Sequence, residues 1–224
     1  MGRFMKLQSV HRSYLAMAIV SCASALVFSF LGDAGLLPVL GDLPLLPVTL
    51  AASALGLPLV TIAERRRVND VVSASTQAHG AVRLAALAAA LAIPPIVIDL
   101  VIGFPKGINL ALPGSLFFYP AIALVAEAAF HLLPLAVFSI VLPRNLPASW
   151  WIMPAVLAEP LFQALSTSGP ALLSWLVFGN VVLVSAAQLW LFCRYGFAAM
   201  MGLRLAYYAF WHILWGTVRL PLLF

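Results

Sequence analysis

Four side chains in this sequence are of types that could do chemistry together: Glu127, His131, Glu159 and His212. Each lies inside a hydrophobic run, and counting along those runs puts all four at about the same depth. Glu127 and His131 are four residues apart, so on a helix they share one face. Gln163 follows Glu159 at the same spacing. A carboxylate beside an imidazole can polarise a water as a general base. Imidazole and carboxylate are also ordinary ligands of a divalent metal such as Zn or Fe, although Glu-x-x-x-His is not the His-Glu-x-x-His pattern of zinc proteases. The same groups could relay protons, or form a hydrogen-bonded network that only holds helices together. No serine or cysteine stands beside His131 or His212, and Ser166, Thr167 and Ser168 fall at the far end of their helix. A covalent hydrolase is therefore disfavoured.

The elements that must position these groups are hydrophobic throughout. The chain has 224 residues, of which 64% are hydrophobic and only 8% charged, with a mean hydropathy of +1.08. A soluble domain carries roughly 25% charged residues, so the composition describes an all-α, polytopic transmembrane helix bundle. Residues 1–224 make a single membrane domain with no room for a sizeable soluble one. The net charge of +5 is then loop charge that sets orientation, not a nucleic-acid signal. Cys22 and Cys193 fall at different depths, too far apart to bridge.

Taken in order, a basic N-terminal stretch with Arg3, Lys6, His11 and Arg12 leads into a first span, Ser13 to Leu31, long for a signal peptide and read as a retained helix. The near-repeat GDAGLLPV and GDLPLLPV over 32–48 predicts a shallow interfacial loop. A second span, Val48 to Ala63, is expected to end sharply at Glu64-Arg65-Arg66-Arg67. The polar stretch from Val68 to Arg83, with an exposed His79, should be a solvated loop or surface helix. Val82 to Gly103 is the third span, with Asp99 near its end and expected to reach the interface. Leu116 to Leu142 is the fourth, carrying Glu127 and His131. Trp150 to about Ser166 is the fifth, Ala171 to Phe192 the sixth, and Phe197 to about Arg219 the seventh. Arg194-Tyr195-Gly196 turns the chain before the last. Arg204, inside the seventh span, either neutralises a core glutamate or snorkels to the headgroups, and snorkelling is expected. Pro134, Pro154 and Pro160 should loosen the fourth and fifth helices beside the polar groups.

About seven spans give a consistent charge distribution. With the N-terminus cytoplasmic and the C-terminus outside, the inner segments hold Arg3, Lys6, Arg12, Arg65, Arg66, Arg67, Arg83, Arg144 and Arg194. The outer ones hold only Lys106 and Arg219, with Asp33 and Asp42. Trp150, Trp151 and Trp190 fall near inner interfaces, where an aromatic belt is expected.

The segment AEAAFH (126–131), followed by an apolar run, resembles the Glu-Glu-x-x-Phe-Arg element of the CPBP family, the CAAX prenyl endopeptidase and bacteriocin-processing (Abi-type) intramembrane proteases. The ending LWLFCRYGFAAMMGLRLAYYAFWHILWG (189–216) is similar to that family's last helix, which leads to His-x-x-x-Asn. The resemblance covers roughly 115–216. It departs from the family in having Ala126 for the first glutamate, His131 for the arginine, Gly216 for the asparagine, and Glu159 or Gln163 nearest the middle histidine. A second registration sets AEPLFQ (158–163) against the Glu-Glu element. The resemblance implies an intramembrane endopeptidase of a bacterial or archaeal inner membrane, with Glu127 as base and His212 as oxyanion partner. Its substrate would be a membrane-embedded or lipidated protein. The departures leave open a catalytically inactive relative that serves as a membrane scaffold or accessory subunit. In either case the partners are lipid and membrane proteins, not nucleic acid.

Overall fold

A computed structural model describes residues 2–31, 36–37, 43–70, 80–166 and 171–224; among these, at 2–9, 36–37 and 67–70 only the backbone is described. Among the described residues the fold is all-α apart from one two-stranded ribbon. The helices are α1 (Gly2–Phe30), α2 (Leu45–Asp70), α3 (Gly80–Val101), α4 (Gly114–Val141), α5 (Ala148–Ser166), α6 (Ala171–Tyr195) and α7 (197–223). Among the described residues, five segments are long and apolar enough to cross a membrane: Val10–Phe30, Leu45–Arg66, Gly80–Val101, Gly114–Val141 and Ala171–Tyr195. The chain is thus an integral membrane protein by the length and composition of its helices. Between α1 and α2, where a plain loop was expected, β1 (Leu36–Leu37) pairs antiparallel with β2 (Leu43–Pro44). The polar residues 71–79, with His79, lie outside the described residues.

The helices alternate in direction. His11 at the start of α1 bonds Thr61 near the end of α2. The end of α2 meets the end of α4, the start of α5 and the start of α7 through Arg66 and Glu64, and Leu84 near the start of α3 faces Gly202 of α7. At the other end, Asn109 before α4 meets Trp211 and His212 of α7, and Asp99 of α3 meets Arg219. The central element is α4: 61% of its most apolar window is buried, against 22–44% for the other four segments. Alanines at 121, 123, 126 and 128 line much of its buried surface. In lipid, helices gain little by hiding apolar surface from one another, so such small residues, which allow close approach, decide where helices touch.

Two expectations for α2 are corrected. It does not stop at Glu64 but runs on to Asp70, and both Glu64 and Arg66 are buried. Their charges complete the ends of other helices. Glu64 accepts a hydrogen bond from the Phe197 N–H, the first of α7 (2.9 Å). Arg66 donates to the carbonyls of Ser139, Leu142 and Pro143 at the end of α4, at 3.0–3.3 Å. An anion at a helix start and a cation at a helix end satisfy groups that have no partner within the helix. Arg66 also sits 5.9 Å from the ring centroid of Trp151. Trp151 is accordingly buried in the core, not in an interfacial belt, whereas Trp150 and Trp190 are exposed. The turn at Arg194-Tyr195-Gly196 is present: Gly196 takes φ 88°, a conformation open to glycine, and separates α6 from α7.

One close approach fixes α1 against α2. The buried Tyr14 hydroxyl donates toward the carbonyls of Ala52 and Ser53, at 3.1 and 2.9 Å. A Cβ added at Gly56 would lie 2.1 Å from that hydroxyl. Gly56→Ala is expected to destabilise the protein by about 1–3 kcal/mol through overpacking. The loss should appear as a lower melting temperature in detergent, and Tyr14→Phe in the same chain should recover part of it. Equal melting of Gly56→Ala and wild type would contradict this contact.

Candidate functional site

The site is built on α4, where the sequence forces an irregularity. Pro134 has no N–H, and its ring would collide with the carbonyl four residues back in a regular helix. The helix widens to π geometry over Glu127–Leu132, and the Leu133 N–H reaches back five residues to the Ala128 carbonyl. Such wide turns recur at functional positions. This one carries both Glu127 and His131, and both side chains are fully buried. His131 Nδ1 lies 2.7 Å from Glu127 Oε2. A carboxylate only accepts, so with Glu127 ionised Nδ1 carries the hydrogen.

Arg204 of α7 is the hub. Its guanidinium has five N–H groups, and each has an acceptor. Nε donates to Glu127 Oε1 at 2.6 Å, and Nη1 to Glu159 Oε1 at 2.9 Å and to the Tyr208 hydroxyl at 3.1 Å. Nη2 donates to Glu159 Oε2 at 2.6 Å and to Gln188 Oε1 at 3.4 Å. The pairing with Glu159 is the two-pronged arrangement in which guanidinium and carboxylate match best. Gln188 Nε2 donates to Glu127 Oε1 at 2.5 Å, and Gln163 Nε2 to Glu159 Oε1 at 3.0 Å. Thus α4, α5, α6 and α7 meet at one cation. The snorkelling expected for Arg204 is corrected: it is buried, because two carboxylates inside the bundle need a positive partner more than the headgroups do.

The structure therefore brings Glu127, His131, Glu159 and Gln163 together and leaves His212 out. His212 also lies on a wide turn, Ala209–Trp215, but it is only partly buried. It stacks on Tyr119 with ring centroids 4.5 Å apart, meets the edge of Tyr208 at 5.0 Å, and its Nδ1 lies 3.4 Å from Asn109 Nδ2. Tyr208 links it to the cluster, through the Arg204 bond. His212 lies about two helical turns beyond Arg204, beside Asn109 and Tyr119 toward the other end of the bundle, so it misses the cluster in depth.

The arrangement does not suit a metal. Among the described residues no three His, Cys, Asp or Glu side chains are grouped to hold one, and the Arg204 guanidinium occupies the space between the carboxylates that a cation would need. The unused polar atom of the cluster is His131 Nε2. It is buried, has no hydrogen-bond partner, and lies 4.0 Å from Glu159 Oε2.

A second buried pair lies toward the far end of the bundle. Asp99, expected at the interface, is instead fully buried and paired with Arg219 Nε at 2.5 Å. Asp99 also accepts from the Trp215 indole and the Phe104 N–H, each at 2.8 Å. Arg219 donates further to the carbonyls of Phe104, Pro105 and Lys106. Arg219 is therefore not loop charge, as the orientation count had it.

Gln188 and Tyr208 were not foreseen, and for Arg204 the neutralising role was the alternative to the snorkelling expected. The signal was charge balance: two carboxylates at one depth require a cation, and Arg204 is the one Lys or Arg well inside a hydrophobic run. No protein-family model matches this chain, and neither the curated proteins nor the solved structures compared with it include a match.

Proposed function

We propose that this chain is a catalytically silent membrane protein of CPBP-like plan, acting as a scaffold or accessory subunit in a membrane complex. The observation that carries this reading is the saturation of Arg204. All five of its N–H groups are engaged, and it neutralises Glu127 and Glu159 together. A general base must have a lone pair that water can reach. Here Glu127 is fully buried and accepts from Arg204, Gln188 and His131, and His131 Nε2, the cluster atom without a partner, is buried as well. His212, the imidazole that hydrolysis would recruit, faces Asn109 and Tyr119 instead. What remains is a rigid, lipid-facing body tied at its centre by charge.

The same reading takes α5 and α7 as spans, making seven. The alternation of all seven helices supports it, and so does the gathering of arginines at one end, which would face the cytoplasm.

The test has two arms. Purified protein in lipid nanodiscs is offered a fluorogenic prenylated peptide, and release at the rate of empty nanodiscs is expected. Cleavage that disappears in Glu127→Gln would overturn the reading and restore the endopeptidase. In cells lacking the native chain, the triple variant Glu127→Gln/Glu159→Gln/Arg204→Met should rescue any growth defect, provided it accumulates to the wild-type level. A protein that accumulates normally and fails to rescue would show that the ionised cluster does more than hold helices.

A further inference from the structure

The end of the bundle where α2, α4 and α6 finish carries exposed arginines from several elements: Arg12, Arg65, Arg83, Arg144 and Arg194. They share that end because His11 bonds Thr61, Arg66 bonds the carbonyls at 139–143, Glu64 bonds the Phe197 N–H, and Leu84 faces Gly202. The opposite end exposes Lys106, while its arginine, Arg219, is consumed by Asp99. Among the described side chains every carboxylate is buried: Glu64, Asp99, Glu127 and Glu159. None of them is available to neutralise the exposed arginines.

One of the five is held in a formed seat. The Arg194 guanidinium lies 5.6 Å from the ring centroid of Trp190, and Tyr195 meets that indole edge-on at 6.4 Å. Both rings are about half exposed, at 51% and 43%. Indoles and phenols settle at headgroup depth. A guanidinium stacked on such a ring keeps its N–H fork free for phosphate oxygens.

We propose that this end of the bundle binds anionic phospholipid headgroups, with Arg194 above Trp190 as its best-formed seat. The surrounding helices are long and apolar enough to sit in the bilayer, so their ends lie where the headgroups are. Charge complementarity then favours phosphatidylglycerol-type lipid, whose headgroup carries net negative charge, over phosphatidylcholine, which carries none. The inference does not depend on whether the buried cluster is silent.

The full chain, in detergent with equal amounts of phosphatidylglycerol and phosphatidylcholine, is analysed by native mass spectrometry. Wild type should retain the anionic lipid preferentially, and the preference should weaken with salt. Each basic group near an anionic surface contributes about fivefold. Arg194→Gln should lower the retained ratio by about that factor, and Arg65→Gln/Arg144→Gln/Arg194→Gln by about a hundredfold. Lys106→Gln at the other end should leave it unchanged. Arg194→Lys, which keeps the charge, should retain most of the preference and so separates lost lipid from lost fold. Equal retention of the two lipids by wild type overturns the proposal. So does salt-sensitive binding of a polyglutamate peptide without lipid preference, which would assign the face to an acidic protein partner.

Discussion

Arg204→Met will destabilise the folded bundle by about 3–5 kcal/mol, the usual cost of removing one partner from a buried ion pair. The measurement is unfolding by SDS in mixed micelles. The loss is large because Glu127 and Glu159 would keep their burial without a cation, and Gln188 and Tyr208 would each lose a donor. Arg204→Lys should recover only part of it, since an ammonium has three donors and no fork to meet Glu159 at two points. The triple variant Glu127→Gln/Glu159→Gln/Arg204→Met should regain most of the stability, because the buried charges leave together. Wild-type stability of Arg204→Met would mean that the clamp does not tie α4, α5 and α7.

Arg219→Leu is the second large effect, again about 3–5 kcal/mol. Asp99 would remain fully buried with only the Trp215 indole and the Phe104 N–H as partners. The carbonyls of Phe104, Pro105 and Lys106 would lose their donor as well. The consequence should be local. Amide exchange should quicken over 103–110, the segment Arg219 holds against α3, and hardly change around Glu127 and Glu159. Asp99→Leu in the same chain should recover part of the loss. Uniform quickening across the whole chain would instead mean that this pair guards global stability.

These two pairs also mark how far the sequence was legible. Hydrophobic run length predicted α3, α4 and α6 to within a few residues, and the Gly196 turn as well. Depth was legible in part, because a helix rises about 1.5 Å per residue and counting gives depth once the ends of the span are right. Glu127, His131 and Glu159 therefore met as expected. His212 did not join them: it lies about two turns past Arg204 and stacks on Tyr119, about two turns before Glu127, so it sits beside Asn109 toward the far end.

Charged residues near helix ends misled most. Glu64 and Arg66 read as a solvated stop, yet they complete the ends of α7 and α4. Nothing local to 64–66 announces this, since their partners lie 73–133 residues away. Arg204 likewise meets carboxylates 45 and 77 residues away, and Arg219 meets one 120 away.

By itself, the sequence determined a helical membrane protein, the shared depth of Glu127, His131 and Glu159, and the need for a cation among them. Tertiary structure alone decided which charges are buried and which reach the surface. A buried charge is tolerable only where another helix brings a partner, and that meeting is a property of the packed bundle, not of any one run of residues.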